Sequence, residues 1–428
     1  MKNSNHDGLT VAVIGAGVVG LSTAAWLQRS GHQVVIVDPK PPLTGIDMRG
    51  AASYGNAATI APSGIFPVSS PGILWRVPGM MLDRKGPLSL YWRDLPDLIP
   101  WLTAFILASR STSFERLTQG LAGLMRHIES GHAPLMAEVD DLRFTPGQGT
   151  IHLYHTTAEM ENARGAVARR NREGVRGRFL SKNDIRDLEP HLAPDYAGGA
   201  IFEDCYILDS PEKYCRGLAQ LIQKRGGRFV QASVEHIVGA ADGIELTTRS
   251  EKVKADRIVI AAGAWSRQIA RRFGQRINMN SERGYHVAFE PQAGLLNHAV
   301  MYPADGFFLT PLSHQIRAAG TIELGGLDKP ARDVRLRVLE EKARKMVPAL
   351  GRVEDTWLGF RPSSPDSLPF IGPSSRDPRV FFACGHGHMG LTLGGITGKL
   401  IAQLVSGVQP ELDISAFNPG RATIRIKP

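Results

Sequence analysis

A glycine-rich turn near the start of the chain is the feature that most constrains its fold. Residues 15–20 read G-A-G-V-V-G, directly after an apolar run and before a helical pattern, and Asp38 follows Gly20 by eighteen residues. Gly15 permits a tight turn, Gly17 lets a pyrophosphate approach the backbone, and Gly20 lets the helix pack closely on the strand. The helix N-terminus would hold the pyrophosphate, and Asp38 would accept a hydrogen bond from a ribose hydroxyl. This spacing predicts a dinucleotide site, and an acid at position 38 argues against a nicotinamide cofactor with a 2′-phosphate.

Four apolar runs, each ending at or near a turn, predict the sheet to which this turn belongs. They read V-A-V-I-G, V-V-I-V, I-V-I-A-A-G and V-F-F-A-C-G, at 11–15, 34–37, 258–263 and 380–385. Unbroken β-branched and apolar residues are typical of strands that are buried on both faces of a parallel sheet. Since the runs fall at the head, middle and tail of the sequence, we predict an α/β fold whose Rossmann-like parallel sheet belongs to a discontinuous domain.

The chain between these runs has a mixed pattern, which predicts a second domain. Residues 88–138 read as helical, whereas 286–289 and 307–323 alternate as strands do. The apolar stretch 98–108 is far shorter than the ~20 residues that span a bilayer, so we predict no transmembrane segment. This stretch predicts either a core helix or a surface helix that contacts a membrane or a partner subunit.

Composition and charge exclude several other classes of protein. The 50 basic and 41 acidic residues give a net charge of +9, which permits anionic partners without identifying one. The densest basic run, residues 164–178, has no interleaved aromatic side chains, so we expect a solvated helix face and no nucleic-acid partner. Because the three cysteines lack zinc spacing and the H-x-H pair at 386–388 lies in a glycine turn, we expect no metal. Without a signal-peptide pattern, we expect a cytoplasmic protein, or one bound peripherally to the inner face of the cytoplasmic membrane.

Three later segments supply further turns of glycine and other small residues for the same dinucleotide. They are A-A-S-Y-G-N-A-A at 51–58, I-V-I-A-A-G-A-W-S at 258–266 and C-G-H-G-H-M-G-L-T-L-G-G at 384–395. An apolar helix is predicted from 396 to 405, and its N–H groups would support negative charge on a reduced flavin. A simple nicotinamide dehydrogenase rarely needs the chain to return to its dinucleotide at the end, so the pattern favours FAD.

Several motifs, spread over nearly the whole chain, are shared with one known family. They are V-I-G-A-G-V-V-G-L-S-T-A at 13–24, S-Y-G-N-A at 53–57, I-V-I-A-A-G-A-W-S, G-F-R-P-S-S-P-D-S-L-P-F-I-G-P at 359–373, G-H-G-H-M-G-L-T at 385–392 and L-I-A-Q-L-V-S-G at 400–407. In these motifs the chain resembles the D-amino acid oxidase-like FAD-dependent oxidoreductases, and among them the bacterial D-amino acid dehydrogenase small-subunit type. It departs from them at Asp38, where the family usually has Glu, a change that should preserve the ribose contact.

The resemblance implies non-covalent FAD and a two-domain fold. The FAD-binding domain would comprise 1–62, 205–280 and 356–428, and a substrate domain with a mixed or antiparallel sheet would comprise 63–204 and 281–355. The implied reaction is oxidation of a D-amino acid to the imino acid, then to a keto acid and ammonia, by hydride transfer to flavin N5. The electrons would pass to an acceptor other than oxygen. No side-chain base is required once the amine is neutral, so no catalytic residue is assigned.

The cofactor residues that we predict come from the motif segments and the strands beside them. They are Gly15, Gly17, Val18, Val19, Gly20, Asp38, Pro39, Lys40, Ser53, Asn56, Ala57, Val234, Ala262, Gly263, Gly387, Gly390, Leu391 and Thr392.

Three residues are predicted to contact the substrate. The family's G-x-R-P segment implies that Arg361 lies over the flavin, where its guanidinium pairs bidentately with the substrate carboxylate. The alternative is a structural arginine paired with Asp366. The Tyr285 hydroxyl would bind the carboxylate or the amine, and the alternative is a core aromatic. His388 would contribute its backbone or a wall of the pocket.

Two other functions stay open. One keeps the fold and changes the chemistry, as a glycine- or sarcosine-type oxidase that returns electrons to oxygen, or a D-hydroxyproline-type dehydrogenase that acts on a cyclic imino acid. The other is a flavin-bearing subunit of a hetero-oligomeric electron-transfer complex, whose main role is assembly or electron relay.

Overall fold

The computed structural model describes residues 8–73, 86, 88–140, 142, 144–145, 149–240 and 243–421. The two ends of the predicted FAD-binding domain, 1–7 and 422–428, lie outside the described residues. The strands are β1 (Thr10–Ile14), β2 (Gln33–Val37), β3 (Thr59–Ile60), β4 (Leu88–Leu90), β5 (Phe144–Thr145), β6 (Thr150–Tyr154), β7 (Gly177–Leu180), β8 (Gly198–Phe202), β9 (Tyr206–Leu208), β10 (Arg228–Val230), β11 (Val234–Ala240), β12 (Gly243–Thr248), β13 (Lys252–Ala255), β14 (Arg257–Ile260), β15 (Asn280–Phe289), β16 (Ala299–Tyr302), β17 (Phe307–Leu312), β18 (Gln315–Leu324), β19 (Val353–Ser363), β20 (Phe370–Pro373) and β21 (Val380–Cys384). The α-helices are α1 (Val18–Arg29), α2 (Leu95–Ala108), α3 (Ser111–Met125), α4 (Ile128–Met136), α5 (Thr157–Arg172), α6 (Lys182–Leu188), α7 (Pro211–Lys224), α8 (Ser266–Arg272), α9 (Asp333–Met346) and α10 (Gly390–Val405).

The four predicted apolar runs form neighbouring strands of one sheet. Its order is β10-β2-β1-β14-β21-β20, with every pair parallel except β20 with β21. Val13 and Val259 are in register, and both are fully buried in the core that also contains residues of α1 and α10. On the other face, Ala12 and Ile258 pack with apolar residues of the small antiparallel sheet β11-β12-β13. Burial on both faces explains why these strands lack alternation, and the predicted α/β fold with a Rossmann-like sheet is confirmed.

A second sheet is larger and shares no strand with the first. Its order is β19-β15-β18-β17-β16-β6-β8-β7, with β4 added to β18, and most of its pairs are antiparallel. Along β15, β17 and β18, alternate side chains point to opposite faces. One face packs on α9 through residues such as Leu339 and Val287, and the other face borders a cavity.

The region predicted as helical from 88 to 138 contains α2, α3 and α4, but it begins with strand β4. Residues 88–90 pair with β18, so the prediction was wrong for this short segment, where pairing in the sheet prevails over local propensity. The helix predicted from 396 begins earlier, at Gly390.

Three elements of this architecture do not follow the predicted domain boundaries. Strand β19 belongs to the larger sheet, although its residues from 356 onward were assigned to the FAD-binding domain. Helices α3 and α4, assigned to the substrate domain, pack in the same core as α1 and α10. The division into domains therefore stays a prediction, and these elements do not follow its boundaries.

Helix α2, which contains the apolar stretch 98–108, has one packed face and one open face. Trp101 is buried and its indole N–H donates to the carbonyl of Ser363 at 2.9 Å. Ile99 and Ile106 lie on the open side and are 54% and 46% exposed. In the part of the chain that the structure describes, no helix is both long enough and apolar enough to cross a bilayer.

Candidate active site

A cavity of about 960 Å³ lies between the two sheets. Its wall includes the turns after β1, β2, β14 and β21, and the inward faces of strands in the larger sheet. The carboxyl ends of parallel strands meet at one edge of a sheet, which is where ligands bind in open α/β folds. The predicted glycine turns therefore converge on one site, although they are far apart in the sequence.

The geometry of the first turn requires glycine at two positions. Gly15 has φ +110°, and a Cβ there would lie 2.4 Å from the carbonyl oxygen of Ala261. A Cβ on Gly20 would lie 2.0 Å from the carbonyl oxygen of Gly15. Both residues thus let the strand, the turn and α1 pack closely. Gly20 does not line the cavity, which agrees with a packing role.

The N-terminus of α1 faces the cavity, and its N-cap residue is a glycine, which has no side chain that could cap the helix. Gly17 is the N-cap, and the N–H of Val18 donates to Ser53 Oγ at 3.0 Å. The Asp38 carboxylate accepts from the N–H groups of Ala16 and Lys40, both at 2.7 Å. Burial raises the pKa of Asp38 from its ordinary value, and these two hydrogen bonds oppose that rise. The turn, the open helix end and the acid fit the pyrophosphate and ribose of a dinucleotide.

The loop that contains Ser53, Asn56 and Ala57 is held from both sides. The Asn56 side chain donates to the Ser53 carbonyl at 2.8 Å and accepts from the Ala58 N–H at 2.7 Å. Arg317 donates to the carbonyl of Asn56 at 2.9 Å. The Asn56 side chain therefore shapes the loop, and Ser53, Asn56 and Ala57 all contribute to the cavity wall.

Trp357 also packs against this loop, and the sequence analysis did not identify this residue. A Cβ on Gly55 or Gly359 would lie 2.2 or 1.9 Å from an atom of the Trp357 indole, so both glycines make room for the ring. Its N–H donates to the carbonyl of Arg49 at 2.7 Å. The only signal in the sequence is the W-L-G spacing before the G-x-R-P segment, which does not reveal that the ring packs on a distant loop.

Arg361 lies on the cavity wall in a confined position. Its Nη1 donates to the carbonyl of Thr321 at 3.0 Å, and a Cβ on Gly284 would lie 2.4 Å from the guanidinium carbon. Burial lowers the pKa of Arg361, and the charge of Glu282 opposes this effect. Asp366, the structural partner considered for Arg361, instead pairs with Arg421 at 3.1 Å. Arg361 thus lines the cavity without the Asp366 pairing, and its role in binding the substrate stays a prediction.

Glu282 is a second charged residue at this end of the cavity, and sequence reasoning missed it. It is in register with Arg361 across β15 and β19, lines the cavity and is 6% exposed. Burial raises the pKa of its carboxyl, and the Arg361 charge and the Ser363 hydroxyl oppose that rise. The polar first half of β15 hides Glu282 among other polar residues, so the sequence carries no clear signal for it.

The structure places Tyr285 away from the cavity. Its side chain is fully buried on the opposite face of β15, and its hydroxyl donates to Glu323 at 2.6 Å. Because side chains alternate along a strand, Tyr285 points away from the face that carries Glu282 and Gly284. The core alternative describes this residue, and the prediction that its hydroxyl contacts the substrate is wrong.

The two histidines of the H-x-H pair have different environments. His388 lines the cavity with its side chain exposed there, and desolvation by the neighbouring protein together with the charge of Arg361 lowers its pKa to about 4. His386 is buried and its Nε2 lies 2.9 Å from Thr397 Oγ1. Both rings are therefore neutral at pH 7. Among the described residues, no three His, Cys, Asp or Glu side chains are grouped as metal ligands.

Comparison with known proteins decides the family. The family model of FAD-dependent oxidoreductases named DAO matches residues 10–404. The chain belongs to this family of FAD-dependent oxidoreductases. It is 33% identical to a D-amino-acid oxidase of Bradyrhizobium diazoefficiens, over 97% of this chain and 99% of that protein. It is 28% identical to a D-amino acid dehydrogenase of Methylobacterium nodulans, over 94% of this chain and 97% of that protein.

Solved structures show the same fold at lower sequence identity. Glycine oxidase from Geobacillus kaustophilus superposes with a TM-score of 0.74 and 22% identity, over 96% of this chain and 99% of that one. L-Proline dehydrogenase from P. horikoshii superposes with a TM-score of 0.73 and 18% identity, over 96% of this chain and 97% of that one. The enzyme is thus a DAO-family flavoprotein whose cofactor is FAD.

The oxidoreductase has a site that suits this cofactor. Every residue predicted to bind the cofactor lines the cavity except Gly20. The open N-terminus of α1 would hold the pyrophosphate, and Asp38 would bind a ribose. Gly387 lies just before α10, and Gly390, Leu391 and Thr392 form the first turn of that helix, whose first N–H groups would face the flavin. The assignment of individual residues to parts of FAD stays a prediction.

Proposed function

We propose that this flavoprotein oxidises a D-amino acid to the imino acid, which water then converts to a keto acid and ammonia. The observation that carries the proposal is the pairing of Arg361 with Glu282 at one end of the FAD cavity. One cation and one carboxyl group complement the carboxylate and the amine of an amino acid. The names of the relatives in Bradyrhizobium and Methylobacterium support the D configuration.

The chain's own residues bind and orient the substrate. The Arg361 guanidinium would hold the carboxylate bidentately, which sets the position and rotation of the α-carbon. Glu282 would accept a hydrogen bond from the amine. His388, neutral at pH 7, would close the cavity without competing for the carboxylate. FAD, when bound, supplies the oxidising chemistry by accepting the α-hydrogen as a hydride.

We also propose, as the sequence suggested, that the electrons pass to an acceptor other than oxygen. The oxidase name of one relative makes oxygen the alternative acceptor. The test is a panel of D-, L- and cyclic amino acids, with glycine and sarcosine, assayed with a dye acceptor with and without oxygen. We expect dye-dependent turnover of D-amino acids. Turnover confined to glycine, sarcosine or cyclic imino acids would reject the D-amino acid assignment, and faster turnover with oxygen alone would reject the acceptor.

The same panel separates an enzyme from an electron-relay subunit. An isolated chain that turns over a D-amino acid with the dye carries the whole active site. An isolated chain that contains FAD and oxidises none of the compounds would instead support a subunit whose role is assembly or electron relay.

Peripheral membrane contact through the open face of α2, on a cytoplasmic protein, also stays a proposal. Ile99 and Ile106 are exposed seven residues apart, on one side of the helix. We expect the protein to pellet with lipid vesicles, and Ile99→Ser with Ile106→Ser to reduce the pelleted fraction without lowering the melting temperature. If the double variant pellets as the wild type does, α2 is not the contact.

A further inference from the structure

Arg170, near the end of α5, is another arginine in the wall of the same cavity. Its guanidinium carbon lies 4.6 Å from the ring centre of Phe66 and 4.9 Å from that of Phe202. Its Nε donates to the carbonyl of Ser63 at 2.8 Å. Two aromatic rings and one backbone carbonyl therefore hold the guanidinium in a defined orientation.

Arg170 has no acidic partner among the described residues, unlike four other arginines of its sequence run. Arg164, Arg169, Arg176 and Arg178 each form an ion pair with a Glu or Asp. Within the ranges that the structure describes, no carboxylate lies within 4.0 Å of Arg170. Burial lowers its pKa to about 10, so it remains charged at pH 7. A partly buried cation without a counter-ion is unfavourable, and an anion in the cavity would relieve that cost.

The larger sheet separates Arg170 from Arg361. His152, Met301, Phe308 and Ala319 are cross-strand neighbours in one row over β6, β16, β17 and β18, and all four line the cavity. Arg361 reaches the β18 end of this row through its bond to Thr321. Arg170 lies beyond the β6 end, where Phe202 contacts both its guanidinium and the His152 ring.

The span between these two ends suits a substrate with two anionic groups. Three strand spacings of about 4.8 Å separate β18 from β6, and the two arginine side chains occupy part of that width. The middle of the row is formed by Met301 and Phe308, which suit methylene groups.

We propose that Arg170 binds a carboxylate at the end of the substrate side chain, so that the preferred substrates are acidic D-amino acids. This inference rests on the proposed function, because it takes Arg361 as the site of the α-carboxylate. The phosphates of FAD are not competitors for Arg170, since their place is the N-terminus of α1, beside the other sheet.

The first test compares D-glutamate with D-glutamine on the holoenzyme. The two substrates have nearly the same shape and differ in charge. We expect kcat/KM to be higher for D-glutamate, and Arg170→Met to lower it by about 10- to 150-fold, the range for a lost charge-assisted hydrogen bond. For D-glutamine, kcat/KM of the same variant should stay within about twofold of the wild-type value. Arg172→Met, an exposed position two residues away, is the matched control and should change neither value.

A binding measurement tests the same inference without turnover. Calorimetric titration of the wild-type holoenzyme with glutarate and with pentanoate compares two carboxylates with one on the same carbon chain. We expect glutarate to bind more tightly, and Arg170→Lys to retain part of that preference. Equal affinity for the two compounds would overturn the inference even if Arg170→Met does not fold.

The outcomes separate this inference from the proposed function. Equal losses on D-glutamate and D-glutamine in Arg170→Met would assign Arg170 to the α-carboxylate or to the fold, and would overturn the side-chain assignment. Wild-type preference for neutral D-amino acids would overturn it as well, while leaving D-amino acid oxidation intact. Failure to oxidise any D-amino acid with either acceptor would reject the proposed function itself.

Discussion

Glu282 and Arg361 are cross-strand partners on β15 and β19, and both line the cavity that would hold FAD. The two residues are far apart in the sequence, and antiparallel register alone brings them together. Burial raises the pKa of Glu282 and lowers that of Arg361, and the charge of each residue opposes the shift of the other. This pair is the basis of the first two predictions.

Arg361→Leu should lower kcat/KM for the best amino acid by about 10- to 150-fold, because a charge-assisted carboxylate contact is lost. Arg361→Lys should recover only part of the activity, since a point charge does not set the plane of the carboxylate. FAD content and spectrum should be near normal. Unchanged steady-state kinetics would place the carboxylate site elsewhere, and loss of FAD would make Arg361 structural.

Glu282→Gln should lower kcat/KM by a similar factor if the carboxylate accepts a hydrogen bond from the amine.

The effect of Glu282→Gln on stability should depend on pH. Because the folded-state pKa of Glu282 is raised, its stabilising contribution is present below the ordinary value of 4.5 and is lost as pH rises through the folded value. Melting curves should therefore show the wild type losing stability relative to Glu282→Gln as pH rises. A constant difference in melting temperature across that range would contradict the assignment.

Gly17→Val should abolish FAD binding and leave the fold intact. A Cβ on Gly17 would meet only Ser53 Oγ, at 3.4 Å, and φ is −74°, so the protein itself tolerates a side chain there. The pyrophosphate, in contrast, would collide with a side chain at this position. Flavin absorbance and the melting temperature of the apoprotein are the measurements. Gly15→Ala is the contrasting variant, since its φ of +110° and contact with Ala261 should destabilise the fold. Normal flavin content in Gly17→Val would move the pyrophosphate elsewhere.

His386 should make the protein sensitive to mild acid. Burial lowers its pKa to about 3, so the folded protein keeps the ring neutral while the unfolded chain binds a proton below about 6.5. Its contribution to stability is present above pH 6.5 and is lost as pH falls towards 3. His386→Gln should flatten the fall of melting temperature between pH 6.5 and 4, whereas the exposed His236→Gln should not. Identical slopes for all three proteins would refute this.

Much of the first sheet and its glycine turn could be predicted from the sequence because the signals are local. Strands buried on both faces have unbroken apolar runs, and a turn such as Gly15 to Gly20 depends on close contacts made within a few residues. The shared motifs added the family and its cofactor, which the family comparison confirms. The G-x-R-P segment likewise identified Arg361 as a cavity residue, although its role in binding the substrate remains to be tested.

Only the tertiary structure decided which other side chains reach the cavity. Strand alternation turns Tyr285 into the core and leaves Glu282 facing the site, a difference that depends on which face of β15 is covered by α9. In the sequence, Arg170 is one member of a basic helical run. Only the structure shows that Phe66, Phe202 and Ser63 surround its guanidinium and that, among the described residues, no acidic side chain pairs with it. Local spacing determines turns and strands, whereas the chemistry of this cavity depends on contacts between residues that are distant in the chain, and sequence patterns do not encode those contacts one by one.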